Sequence, residues 1–111
     1  ATDKIMDNLT ALTPKFAVIT ASASGNTSVV ALVASKKLRV LRYQVHANGN
    51  VTVKFQSNTT DIAGTHYLTQ YGSSGGNFCP VGLFETAAGE TLNINLSGAI
   101  AVGGELTYIE V

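Results

Sequence analysis

Tryptophan is missing from this chain, cysteine occurs once, proline twice, and only 13% of the 111 residues are charged. With Cys79 alone, no intrachain disulfide can form. The longest apolar run, Val29 to Ala34, is far too short to cross a bilayer, so no membrane partner is expected. Seven cations balance seven acids, which excludes the strongly basic surface that nucleic-acid binding needs. Low charge at zero net also removes the repulsion that keeps soluble monomers apart. Either Asn, Thr, Ser and Gly solvate the surface, or an assembly covers much of it.

Chemistry is equally sparse. No hydrolytic, phosphate-binding or dinucleotide motif occurs. His46 and His66 lie on separate elements, without Cys or acid at metal-ligand spacing. His46 is expected to face solvent beside a turn, and His66 to lie in a loop. Glu85 and Glu90 flank a turn, Thr86-Ala-Ala-Gly89, and read as solvated turn residues rather than an acid and base pair. Cys79, between Phe78 and Pro80, reads as a small buried hydrophobe. The expectation is therefore a non-enzyme with no cofactor and no metal. Five N-x-Ser/Thr triplets begin at Asn8, Asn26, Asn50, Asn58 and Asn95. A chain this rich in Asn, Thr and Ser generates them by chance, and with no signal peptide visible the expected compartment is a reducing cytosol.

What is present is a core. The chain is 45% hydrophobic and its mean hydropathy is positive. At this length one domain buries roughly two-thirds of its unfolded surface, enough to fold without metal or disulfide. Residues 1–14 carry Ile5, Met6, Leu9 and Leu12 at near-helical spacing, with Asp3 as a possible cap and Pro14 as a stop. A helix of about ten residues is marginal alone. Its stripe needs a partner, either this domain's core or a neighbouring subunit.

From Lys15 onward β-branched residues and Gly/Asn/Ser turns dominate. The expected strands are Phe16–Ala21, Ser28–Ala34, Leu38–Ala47, Val51–Ser57, Val81–Phe84, Leu92–Leu96 and Leu106–Val111, with weaker ones near Tyr67 and Phe78. Short strands of this kind predict an all-β, antiparallel, jelly-roll-like sandwich of seven to nine strands over residues 15–111, preceded by the arm. Leu41, Tyr43 and Val45 share a parity with Val51, Val53 and Phe55. A hairpin with a three-residue Ala47-Asn48-Gly49 loop would pair Val45 with Val51, Tyr43 with Val53 and Leu41 with Phe55. Apolar parity changes between Val40 and Leu41, which predicts a bulge there or burial on both sides. Val29–Ala34 does not alternate, which also suggests double burial. Gly103-Gly104 reads as a turn before the last strand, which is expected inside the sheet.

Two groups of residues are candidates for binding. Four of the seven cations, Lys36, Lys37, Arg39 and Arg42, cluster as a solvated strand face or a contact with an acidic surface. Glu85, Glu90, Glu105 and Glu110 could complement them within one subunit or between subunits. The polar, glycine-rich stretch Thr59–Cys79 contains Asp61, His66, Tyr67, Tyr71 and Phe78. Its aromatics could stack on a sugar or a protein edge, or anchor the loop to its own domain.

Several segments carry a resemblance. Ser35-Lys-Lys-Leu-Arg-Val-Leu-Arg-Tyr, Val51-Thr-Val-Lys-Phe-Gln-Ser, the run from Gly82 through Ser97, and Val102 through Val111 resemble small proteins of tailed bacteriophages, including marine and cyanobacterial ones. The likeness covers roughly residues 24–111. It implies a β-sandwich capsid decoration or cement protein on the virion surface, made in the host cytoplasm. It also implies homotrimers, with copies of itself and the major capsid protein as partners. In that picture Ile5, Met6, Leu9, Leu12 and the four cations supply subunit or capsid contacts. The alternatives are a carbohydrate-binding or host-adhesion module, built on Tyr67 and Tyr71, and a head- or tail-fibre component.

Overall fold

Apolar residues at period two line one face of Val51–Ser57, of Leu92–Leu96 and of the second half of Leu38–Ala47, and the two sheets that carry these faces close on each other. The computed structural model describes residues 6, 7 and 10–111, with side chains from Leu12 onward. In chain order the strands are β1 (Met6–Asp7), β2 (Thr10–Ala11), β3 (Lys15–Ala21), β4 (Gly25–Val30), β5 (Leu38–Ala47) and β6 (Val51–Ser57). They continue as β7 (Thr60–Asp61), β8 (His66–Leu68), β9 (Ser73–Gly76), β10 (Phe84–Glu85), β11 (Leu92–Leu96) and β12 (Val102–Glu110). One five-stranded sheet runs β10-β5-β12-β3, with β9 also on β5. The other runs β4-β11-β6-β7, with β8 also on β6. Every pairing is antiparallel. The result is the expected sandwich, with ten strands in its two sheets because the loop regions add short pieces such as β7 and β10.

The predicted hairpin does not form. β5 and β6 lie in different sheets, and β5 pairs instead with β12, β10 and β9. The chain crosses between the sheets from β3 to β4, β4 to β5, β5 to β6 and β11 to β12, in jelly-roll fashion, while β6 and β11 pair within one sheet. Parity could not reveal this: a hairpin within one sheet and an arch between two sheets both send Val45 and Val51 into the same core. Gly49 accordingly has no left-handed φ; it packs under Ile100, which a Cβ would meet at 3.2 Å. The tight turn that does form is Asn58-Thr59, between β6 and β7, with Asn58 at φ 56°. Asn tolerates that region better than most residues.

The bulge is where parity put it. Thr107 pairs with Arg42 and Tyr108 with Val40, leaving Leu41 without a partner on β12. Leu38, Val40, Leu41, Tyr43 and Val45 are all buried as a result. The other edge of β5 changes partner at the same point. β10 pairs with Arg39 and Val40, and β9 with Tyr43 to His46. Residues between β9 and β10 loop outward, tied by the Cys79 amide to the Leu41 carbonyl (2.9 Å) and the Leu83 amide to the Val40 carbonyl (2.8 Å). Cys79 on this loop is half-buried rather than enclosed.

An aromatic cluster locks the two sheets. Phe55 on β6 is fully buried. It meets Tyr43 of β5 edge-on at 5.2 Å and stacks on Phe84 of β10 at 5.0 Å. Such contacts add ~0.5–1.5 kcal/mol each beyond the area they bury. Thr86 closes the same end: its hydroxyl accepts from the Leu38 amide (2.9 Å), and its own amide donates to the Leu38 carbonyl (3.0 Å).

Three other expectations need correction. Where the arm is described it is extended, Met6–Asp7 pairing with Thr10–Ala11, not helical. A one-faced helix of that length has too little hydrogen bonding to hold itself without a packing partner. Ile5 and Leu9 lie outside the described residues, and Leu12 is partly buried. Val29–Ala34 is not doubly buried: β4 ends at Val30, only Val30 is enclosed, and Leu32 is 54% exposed. Gly103-Gly104 is not a turn but the interior of β12, between β3 and β5. Gly104 is there for closeness, since a Cβ would overlap the Gln44 carbonyl oxygen of β5. Gly104→Ala is expected to cost at least ~1–3 kcal/mol in denaturant unfolding. Gly98→Ala, where a Cβ meets open space, should change stability by less than ~0.5 kcal/mol.

Candidate functional site

Three of the four clustered cations meet acids of the same chain, two of them sharing one carboxylate. Lys37 and Arg39 both reach Glu85, at 3.4 and 2.7 Å, and Arg42 reaches Glu105 at 3.6 Å. The Arg39 hydrogen bond, aided by Lys37 and opposed by partial burial, holds the Glu85 carboxyl below its usual range. Lys36 is exposed. Of the four late acids, two therefore complement the cations inside one subunit. Glu90 instead accepts from the Ser57 hydroxyl, which itself accepts from the Ala87 amide.

The 59–79 residues do not converge on one site. Asp61 pins the edge of β6: Gln56 donates to it at 2.6 Å and Lys54 lies 3.3 Å away, and these hydrogen bonds lower its pKa. Tyr67, 82% exposed on β8, lines a shallow groove of about 280 Å³ with Asn50, Thr52 and Ser97. Tyr71 lines a different groove of about 470 Å³ with Thr20, His46 and Val102. Phe78 lines a third, of about 310 Å³, beside Arg42 and Gln44. Tyr71 stands at φ 61°, a left-handed conformation that is costly for a bulky residue. It is held there by the Tyr71 amide to the Ala47 carbonyl (2.8 Å) and the Ala47 amide to the Gly72 carbonyl (3.0 Å).

His66 is not a loop residue. It sits on β8, opposite Val53, and stacks on Tyr43 at 5.7 Å. Its Nε2 lies 3.1 Å from the Tyr43 hydroxyl, and its buried Nδ1 has no hydrogen-bond partner. It therefore anchors the loop to its own domain. His46 is exposed as expected.

Sequence reasoning placed a strand at Phe16–Ala21 but missed that β3 is a sheet edge with an uncovered apolar face. Its outward residues Phe16 and Val18 are 80% and 76% exposed, while Ile19 enters the core. The register sets Phe16, Val18 and Thr20 beside Thr107, Glu105 and Gly103 of β12, then Arg42, Gln44 and His46 of β5. An apolar rim thus borders a face crossed by the Arg42–Glu105 pair. Alternation alone was blind to it, because Phe16, Ala17, Val18 and Ile19 are apolar at both parities. Pro14 immediately before the strand was the available signal, since proline is confined to strand starts and edges.

Burial pushes the His66 imidazole below its ordinary 6.5. The unfolded chain then takes up a proton that the folded chain resists. Stability is complete above about 6.5 and falls as pH drops from there through the lower folded value. Asp61 and Glu85, also held low, weaken the fold only in the more acidic carboxylate range, below about pH 5. Denaturation midpoints of the unmodified chain should fall between about pH 7 and 5, and His66→Phe should flatten that slope. An unchanged slope in the variant would refute this role.

No family model and no curated protein matches the chain. Among solved structures, a chain from Bacillus endospore appendages, described as forming a novel family of disulfide-linked pili, is similar in fold. The TM-score is 0.54 at 17% identity, over 89% of this chain and 86% of that one. At that identity the likeness establishes a shared β-sandwich.

Proposed function

We propose that this chain is a structural subunit that works by packing against other protein, as a decoration or cement protein on a virus shell, and not by turning over a substrate. The observation that carries the reading is the position of its uncovered apolar side chains. Phe16 and Val18 stand open on a strand at the sheet edge, where desolvation by a partner is favourable and no core demands them. Intramolecular pairing of Lys37 and Arg39 with Glu85 and of Arg42 with Glu105 supports it, because a surface whose charges are already paired is cheaper to cover than one with isolated charges. The resemblance over residues 24–111 supplies the shell as the partner and the trimer as a state.

The mechanism is mechanical. A stable contact of this kind buries ~1,200–2,000 Å² and adds it across joints between shell subunits. Repeated copies multiply weak contacts through effective concentration. The Bacillus appendage is an assembly of subunits with a similar sandwich, which fits use of this fold as a building block. Its disulfide linkage does not carry over. With Cys79 as the sole cysteine, one chain can make at most one interchain disulfide, which joins a pair and not a polymer.

A glycan-binding module remains the contrasting class, and Tyr67 and Tyr71 are the residues that divide the two. Antibody labelling of virions should decorate the shell surface in regular positions, and Tyr67→Ala with Tyr71→Ala should leave shell binding within about twofold. Glycan-array binding that disappears in the double variant, with no labelling of particles, would overturn the reading.

A further inference from the structure

Among the described residues the sandwich has four lateral edges, and three are interrupted. On one side of the first sheet, β9 and β10 are separated by the 77–83 loop. In the second sheet, β7 and β8 are two and three residues long. β4 is broken by a register shift beside Leu92 and presents Asn26 and Ser28 outward. Only β3 is a long, regular edge: seven residues in unbroken register with β12 from Ala21 to Lys15. It lacks the devices that normally protect an edge, having no bulge, no internal proline and no charge after Lys15.

We propose that β3 pairs with β3 of a second copy, antiparallel about a two-fold axis at Val18. This rests on the assembly reading and names its partner. Val18 is the centre of Lys15–Ala21, so that register alone uses all seven residues. It sets Val18 against Val18 of the second copy, Phe16 against Thr20, Ala17 against Ile19 and Lys15 against Ala21. Even residues meet even and odd meet odd, so the outward face of one strand continues the outward face of the other and both core faces stay inward. Phe16 also falls diagonal to the opposing Val18, within reach of an aromatic ring.

The charges permit the pairing. Lys15 is the only charge on β3, and the register places the two lysines at opposite ends, ~20 Å apart by strand rise. That exceeds the ~8 Å screening length at physiological salt, so no like charges oppose each other. The area is modest. Two seven-residue edges with two exposed apolar residues each fall short of the ~800 Å² per partner of a free-standing complex. The contact is therefore reversible in solution and gains strength when copies are already held close. Such a two-fold contact joins trimers as readily as monomers.

Disulfide trapping in the full chain tests both partner and register. All variants carry Cys79→Ser, and Phe16, Val18 and Thr20 are exposed, so folding is checked by circular dichroism and expected unchanged. Val18→Cys should oxidise to a covalent dimer at least tenfold faster than Ala99→Cys, an exposed turn position used as control. Phe16→Cys alone should behave like the control, yet cross-link when mixed with Thr20→Cys. Trapping of Phe16→Cys alone as fast as Val18→Cys would overturn the register. If Val18→Cys behaves like the control while light scattering still shows self-association, edge pairing is wrong and the assembly reading stands. If there is no trapping, no association and no labelling of particles, both fall.

Discussion

The insertion of Leu41 into β5 organises the rest of the molecule. β5 is the longest strand and has three partners, β12 along one side and β10 and β9 on the other. An unbroken ten-residue strand would have turned Leu38 and Val40 away from the face that takes Tyr43, Val45 and Ala47. One extra residue re-aims the second half, so that Leu38 and Val40 and then Tyr43 and Val45 all reach the interior. It also divides the outer edge of β5 between β10 and β9. The chain between those two strands has to leave the sheet, which puts Phe78 and Val81 at the surface. A local change of register therefore sets both the packing of the core and the shape of one side of the sandwich.

Next to the bulge lies the cluster that couples the sheets. Tyr43 touches Phe55, Phe84 and His66, which come from three other strands. The ring of Tyr43 is buried while its hydroxyl reaches His66 and Ser74, so one residue both fills the core and tethers β8 and β9. The cost is an imidazole nitrogen without a partner. The side of the molecule that holds these loops is thereby closed, and the β3 side is left as the open one.

The strand positions were largely legible because alternation is a local signal. β5, β6 and β11 fall on the expected residues, and the parity break at Val40–Leu41 marked a real bulge. The pairing was not legible. Parity says which residues share a core, and a core lined by two sheets accepts residues from either. Gly103-Gly104 misled for a related reason: the same dipeptide serves a turn or a crowded strand, and only the nearness of the Gln44 carbonyl distinguishes them. Among candidate site residues, the sequence grouped Tyr67, Tyr71 and Phe78 by proximity along the chain, and folding sent them to three separate grooves.

By itself, then, the sequence determined a β domain with one core, a low and balanced charge, and the place where its central strand breaks register, since each follows from composition or from period-two patterning along a few residues. The tertiary structure decided which strands are neighbours, that the cations Lys37, Arg39 and Arg42 meet Glu85 and Glu105, and that β3 lies at an edge with Phe16 and Val18 uncovered. The physical reason is range. Side-chain alternation acts over two residues, whereas exposure depends on which distant strand arrives alongside, and among the described residues no strand pairs with the far side of β3.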